Sequence, residues 1–182
     1  MNIIFIGMKH CGKTTQAKRL ARDLGMHFID SDEAVAANYA AVEKENTDAR
    51  GIYNNKGADY FRALEATTVT RWLNDEAFDR NVIALGGGTV GNRLIGGELA
   101  ELGFFIYLKT APELIYPRIV TNGLPSFLAN AADPEAYFRE LYAERNVGYT
   151  ELADLIIPVD TLCTSEELNR EIVGYLHREK LI

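Results

Sequence analysis

Residues 2–6, Asn-Ile-Ile-Phe-Ile, form an apolar, β-branched run without alternation. That is the pattern of a strand covered on both faces, as in a parallel sheet. A glycine-bounded loop over 7–12 follows. In the next stretch, 13–24, Ala17, Leu20, Ala21 and Leu24 recur at helical spacing, and Gly25 supplies a stop. Residues 26–29 read as a second strand ending at Asp30-Ser31-Asp32. The pattern then predicts a helix from 33 to about 41, a polar stretch over 42–56, and a long helix over about 58–75. Residues 81–85 are a third buried strand, closed by Gly86-Gly87-Gly88, with a helix around 93–102 and a fourth strand over 103–108. A helix follows over 111 to about 118, broken at Pro117, and then a loop over 119–133. Pro134 opens a helix to about residue 145 at its tolerated first position. Residues 155–159 are a fifth strand, and Ser165 caps a last helix to residue 177. Strands alternate with helices throughout, which predicts an α/β three-layer sandwich on a five-stranded parallel sheet in a single domain, 1–182.

The chain length of 182 residues fits one domain, and 47% hydrophobic against 25% charged residues excludes disorder for most of it. A net charge of -7 argues against a nucleic-acid partner, which needs a basic face. Two cysteines, Cys11 and Cys163, are too few and too far apart for a disulfide framework or a zinc site. The absence of any apolar run near 20 residues argues against a membrane span. The expectation is a cytoplasmic protein acting as a monomer.

Gly7-Met-Lys-His-Cys-Gly12-Lys13-Thr14 matches G-x-x-x-x-G-K-[ST] and lies between a predicted strand and a predicted helix, the context the motif requires. Backbone N–H groups of such a loop, and the positive end of the helix it opens, hold phosphate oxygens. Lys13 is placed to reach the β- and γ-phosphates, and the Thr14 hydroxyl to bind Mg²⁺. The expected nucleotide-binding set is Gly7, His10, Cys11, Gly12, Lys13, Thr14 and Thr15. The plain alternative is a glycine-rich turn; Cys11 then fills space and His10 is a bystander.

The residues together resemble the shikimate kinase family, in the nucleoside-monophosphate-kinase-like group of P-loop proteins. The resemblance runs in order along nearly the whole chain: the phosphate loop, Asp30-Ser-Asp32, Gly57-Ala-Asp-Tyr-Phe61-Arg62-Ala-Leu-Glu65, Gly86-Gly87-Gly88, Glu144-Arg145-Asn-Val-Gly-Tyr149, and Ala153-Asp154. It implies ATP and Mg²⁺ as cofactors, with Thr14 and Asp30 serving the metal. It implies that Lys13 and Asp32 are catalytic, Asp32 orienting the acceptor hydroxyl. It also implies that Asp32, Arg62, Gly86, Gly87 and Arg145 seat a small carboxylate substrate. A guanidinium grips a carboxylate bidentately, and Glu65, one turn after Arg62, is placed to orient it. Asp30 and Asp32 can equally be helix caps, each arginine a solvated helix charge, and the glycines a strand-to-helix turn. The family likeness further points to Arg118 and to 159–161 as neighbours of the adenine, to 32–65 as the substrate-binding segment, and to 119–133 as a lid.

The family's lid carries an arginine, whereas residues 119–138 here hold no Lys, Arg or His. Leu124 stands where the lid arginine would fall. His10 replaces a loop glycine, Val147-Gly148 replaces the usual Pro-Leu, and the stretch from Asp32 to Arg62 is long. Transfer of the ATP γ-phosphoryl to shikimate is the expected activity. A kinase of another hydroxy acid such as gluconate, or a divergent paralogue that binds nucleotide with little turnover, are the alternatives.

Overall fold

In a computed structural model, which describes residues 1–160 and 164–182 with the side chain of Ser126 excepted, five strands form one sheet. They are β1 (Ile3–Ile6), β2 (His27–Asp30), β3 (Asn81–Ala84), β4 (Phe104–Thr110) and β5 (Leu155–Val159). Every neighbouring pair is parallel, in the order β2-β3-β1-β4-β5. The sheet is thus the predicted one. The four residues of β1 are at most 1% exposed, as expected of a run with no polar face. β2 and β5 lie at the edges and are only partly buried.

The helices are α1 (Lys13–Leu24), α2 (Ser31–Glu43), α3 (Ala49–Lys56), α4 (Ala58–Leu73), α5 (Pro112–Thr121), α6 (Ser126–Ala129), α7 (Pro134–Leu152) and α8 (Ser165–Arg178). α1 packs on β1, β2, β3 and α8, while α7 packs on β4, α5 and α6. Central-strand residues and the inward faces of α1, α7 and α8 form the main core. Val35, Tyr39, Ile52 and Phe61, from α2, α3 and α4, bury together as a second, separate core.

Several expected elements change in the structure. The polar stretch 42–56 contains α3, whose Asp48 cap accepts from Gly51 N at 2.7 Å and whose Ile52 is wholly buried. Gly51 sits within its first turn, close against the Thr47 side chain. A Cβ would fall 2.1 Å from Thr47 Oγ1. The helix around 93–102 is a turn followed by a 3₁₀ helix, Gly96–Leu102. Pro117 does not break α5, because the helix runs on to Thr121 and only the bond that Pro117 has no N–H to make is lost. The loop over 119–133 holds the end of α5 and the short α6. α7 runs past 145 to Leu152, carrying Gly148 within it and burying Tyr149. The cap of α8 is Thr164 rather than Ser165: its hydroxyl accepts from Glu167 N, and Glu167 returns a bond to the Thr164 N–H in a capping box. Cys163 and Thr161 lie outside the described residues.

Candidate functional site

Every candidate group gathers beyond the C-terminal ends of the strands, where open α/β sheets bind ligands. The phosphate loop follows β1, Asp30 ends β2 with Asp32 just beyond it, and Gly86 to Gly88 follow β3. Gly12 opens α1 with φ 102°, a left-handed conformation suited to glycine, and the space beside its Cα is open. Gly7 is held by crowding: a Cβ there would meet Leu108 O at 2.9 Å and Cys11 Sγ at 3.0 Å.

Lys13 is largely buried, and its Nζ donates to Gly7 O and Met8 O, both at 2.9 Å. The Thr14 hydroxyl donates to Asp30 Oδ2 at 3.1 Å. Asp30 Oδ1 accepts from Asp32 N at 3.0 Å, so Asp30 is the cap of α2 and also faces the phosphate loop. Asp32 is not the cap. It lies one residue into the helix with its carboxylate turned to the cleft, where Oδ1 is 2.6 Å from the position of a Gly86 Cβ. The residue has solvent access, yet the protein packed around its carboxylate raises the pKa, and Asp30 and Glu65 add to the effect. Burial, with Lys9, Lys13 and Arg118 nearby, lowers the pKa of His10. His10 takes φ 65°, and its carbonyl accepts from Arg118 Nη1 at 3.2 Å. Arg118 thus rests on the phosphate loop, and the adenine side expected at 159–161 runs into residues that are not described.

Two clefts meet here. One, about 1000 Å³ with the solvent at its mouth, is lined by Gly12, Lys13, Thr14, Thr15, Asp30, His10 and Arg118. The other, about 900 Å³ on the same measure, is lined by Arg50, Tyr53, Arg62, Gly88, Phe127 and Arg145 among others. Lys9, Asp32, Gly86 and Gly87 line both. Of the expected nucleotide set, Gly7 and Cys11 lie behind the cleft wall. The Cys11 side chain is buried, and its N–H is used internally, donating to Met8 O at 3.3 Å.

The second cleft has a rigid floor. Arg62 Nη1 donates to Glu65 Oε2 at 2.7 Å, and Glu65, 2% exposed, also accepts from Thr89 Oγ1 at 2.7 Å and Asn92 Nδ2 at 2.8 Å. Asn92 further donates to Arg62 O at 2.8 Å. Gly88 lies directly under the guanidinium: a Cβ would fall 2.1 Å from Arg62 Nη2. Arg145 Nη1 is 3.7 Å from the position a Gly87 Cβ would take. The Tyr149 hydroxyl donates to Gly87 O, fixing the glycine turn, and burial raises its pKa. Sequence reasoning found Arg62, Glu65 and Arg145 but missed Thr89, Asn92 and Arg50. Thr89 and Asn92 follow the glycines closely, yet nothing in their spacing marks them as partners of Glu65.

The donor set fits a magnesium ion. Two neutral or anionic oxygens, Thr14 Oγ1 and the Asp30 carboxylate, stand together, and Mg²⁺ completes such sets with water and phosphate oxygens. Among the described residues no helix is long and apolar enough to cross a membrane.

The family model described as shikimate kinase matches residues 9–177. A shikimate kinase of Symbiobacterium thermophilum is 33% identical over 182 residues, covering all of this chain and 96% of its own. One of Histophilus somni is 30% identical over 159 residues, 87% of this chain and 86% of its own. The structure of shikimate kinase from Acinetobacter baumannii in complex with shikimate is similar with a TM-score of 0.82 and 26% identity, covering 100% of this chain and 95% of that one. The chain belongs to the shikimate kinase family, phosphotransferases that use ATP and Mg²⁺ and take an alcohol group as acceptor.

Proposed function

We propose that this chain transfers the γ-phosphoryl of ATP to a ring hydroxyl of shikimate, giving ADP and shikimate 3-phosphate. The observation that carries the reading is the shared wall. A cleft lined by phosphate-binding residues and a cleft lined by Arg62 and Arg145 open onto the same four residues, Asp32 among them. The relative solved with shikimate bound supports the choice of acid.

The roles follow from the chemistry of each group. Arg62 and Arg145 receive the acceptor carboxylate, and Glu65 keeps Arg62 in place before the ligand arrives. That sets a hydroxyl against Asp32, whose raised pKa suits it to take the proton as the oxygen attacks phosphorus and the bond from phosphorus to the β-phosphate oxygen breaks. Phosphate oxygens replace Gly7 O and Met8 O as partners of Lys13, which then neutralises charge building on the transferred group. Thr14 and Asp30 would hold Mg²⁺, which supplies charge neutralisation to the phosphates when bound. With no covalent intermediate, positioning and electrostatics do the work. Residues 32–65 form the acceptor wall and 119–133 the lid.

The test is ADP release from Mg-ATP with purified protein. The expected result is release that depends on shikimate and that Lys13→Ala lowers by about 10²–10³-fold. Turnover with gluconate but not shikimate would overturn the choice of acid. Calorimetric ATP binding without turnover on any acid would replace the kinase reading with a binding protein.

A further inference from the structure

Arg50 belongs to no motif in the sequence, yet it lines the acceptor cleft and reaches from α3 to residue 124. Its Nη2 donates to Leu124 O at 3.0 Å, and its Nη1 is 3.7 Å from the position of a Gly123 Cβ. One turn along α3, the ring of Tyr53 lies 6.4 Å from that of Phe127 in α6. Residues three apart share a helix face, so α3 meets 123–127 at two points, one polar and one aromatic. Arg50, Tyr53, Pro125, Phe127 and Leu128 all line the same cleft. Residues 119–138 contain no Lys, Arg or His, so that segment has no positive charge of its own with which to face anionic ligands. A guanidinium carries five N–H donors, and the Leu124 carbonyl takes one.

We infer that Arg50 is a positioning residue, a latch that ties residues 123–127 to the acceptor wall and presents a positive charge there. This rests on reading the Arg62–Arg145 cleft as the acceptor site. Closure over the acceptor is then set from α3. Residues 123–127 are held by a neighbour's cation, and the acceptor side feels its loss more than the nucleotide side. Arg50 lines only the acceptor cleft, which sets that asymmetry.

The test pairs kinetics with hydrogen exchange on wild type, Arg50→Ala and Arg50→Lys. The amides of Leu128, Ala129 and Ala131, bonded to Pro125 O and Leu128 O, report on the tied segment. Arg50→Ala is expected to speed their exchange by about threefold or more. It is expected to lower kcat/KM for the acceptor about tenfold, with KM for ATP held within about twofold. Arg50→Lys should restore part of the loss, since it keeps the charge but not the planar fork. Unchanged exchange, or an ATP KM that rises in step with the acceptor KM, overturns the latch. If wild type ignores shikimate while exchange still responds, the choice of acid falls and the latch stands.

Discussion

Glu65 is where the proposed acceptor site and the stability of the fold are tied to one carboxylate. Its replacement by alanine strips three donors of their acceptor at once: the Arg62 guanidinium, the Thr89 hydroxyl at 0% exposure and the Asn92 amide at 5%. Breaking a fully buried ion pair from one side costs about 3–5 kcal/mol, which is an upper bound here because the Arg62 side chain left behind is 28% exposed. The neutral donors belong to the same network, so their losses do not simply add to that figure. For a chain of 182 residues each kcal/mol moves Tm by about 2–4 °C, so Glu65→Ala should lower it by up to about 20 °C. Glu65→Gln keeps a carbonyl for Thr89 but turns an amide N–H₂ toward Arg62. Asn92 shares Oε2 with Arg62 and loses it too; with Arg62 28% exposed, the cost should be about 1–3 kcal/mol, the desolvation of the buried Asn92 amide. Both variants release the guanidinium, so the acceptor KM should rise about tenfold or more while the KM for ATP stays put. Thermal unfolding followed by circular dichroism, with initial rates of ADP release, makes both measurements. A Glu65→Ala protein with a wild-type Tm and a wild-type acceptor KM would refute the claim that this carboxylate organises the site.

Three further outcomes follow from the same cleft. Gly88→Ala places a methyl where the Arg62 guanidinium lies, and Glu65 resists its displacement; the acceptor KM should rise about tenfold and Tm should fall as the pair is strained, and an unaltered KM would show that Arg62 does not seat the acceptor. Because burial and its acidic neighbours raise the pKa of Asp32, the acid limb of kcat/KM should lie above the ordinary carboxylate value of 3.8 and should vanish in Asp32→Asn. The stability effect has the opposite sense. A raised folded-state pKa makes ionisation cost stability as pH climbs past the unfolded value, so Asp32→Asn should be more stable than wild type at neutral pH, with the gain fading on acidification. A Tm for Asp32→Asn that does not exceed the wild-type value at neutral pH would refute this.

The sheet was legible because each strand is a short run of apolar residues bounded by glycine or polar residues, and parallel pairing requires helices between them. The phosphate loop and the Arg62–Glu65 pair were legible because their spacing is set by local geometry: a turn before α1, and one helical turn in α4. What was missed depends on contacts far apart in sequence. α3 is eight residues long with Gly51, Asn54 and Asn55 in it, and intrinsic preference alone would not make it a helix. Burial of Ile52 against Val35, Tyr39 and Phe61 decides the matter. Helix α7 passes through Gly148 for a similar reason, since Tyr149 must reach Gly87. Thr89, Asn92 and Arg50 find their partners across 24, 27 and 74 residues, distances over which no periodicity speaks.

The second small core bears on how such an enzyme changes its diet over evolutionary time. Val35, Tyr39, Ile52 and Phe61 support the acceptor wall without sharing buried neighbours with the strands beneath the phosphate loop. Mutations that reshape the wall therefore perturb one local unit of stability and leave the nucleotide machinery on its own foundation. Substitutions in α2 to α4 can therefore reshape the wall beside Arg62 while the phosphate loop keeps its own packing.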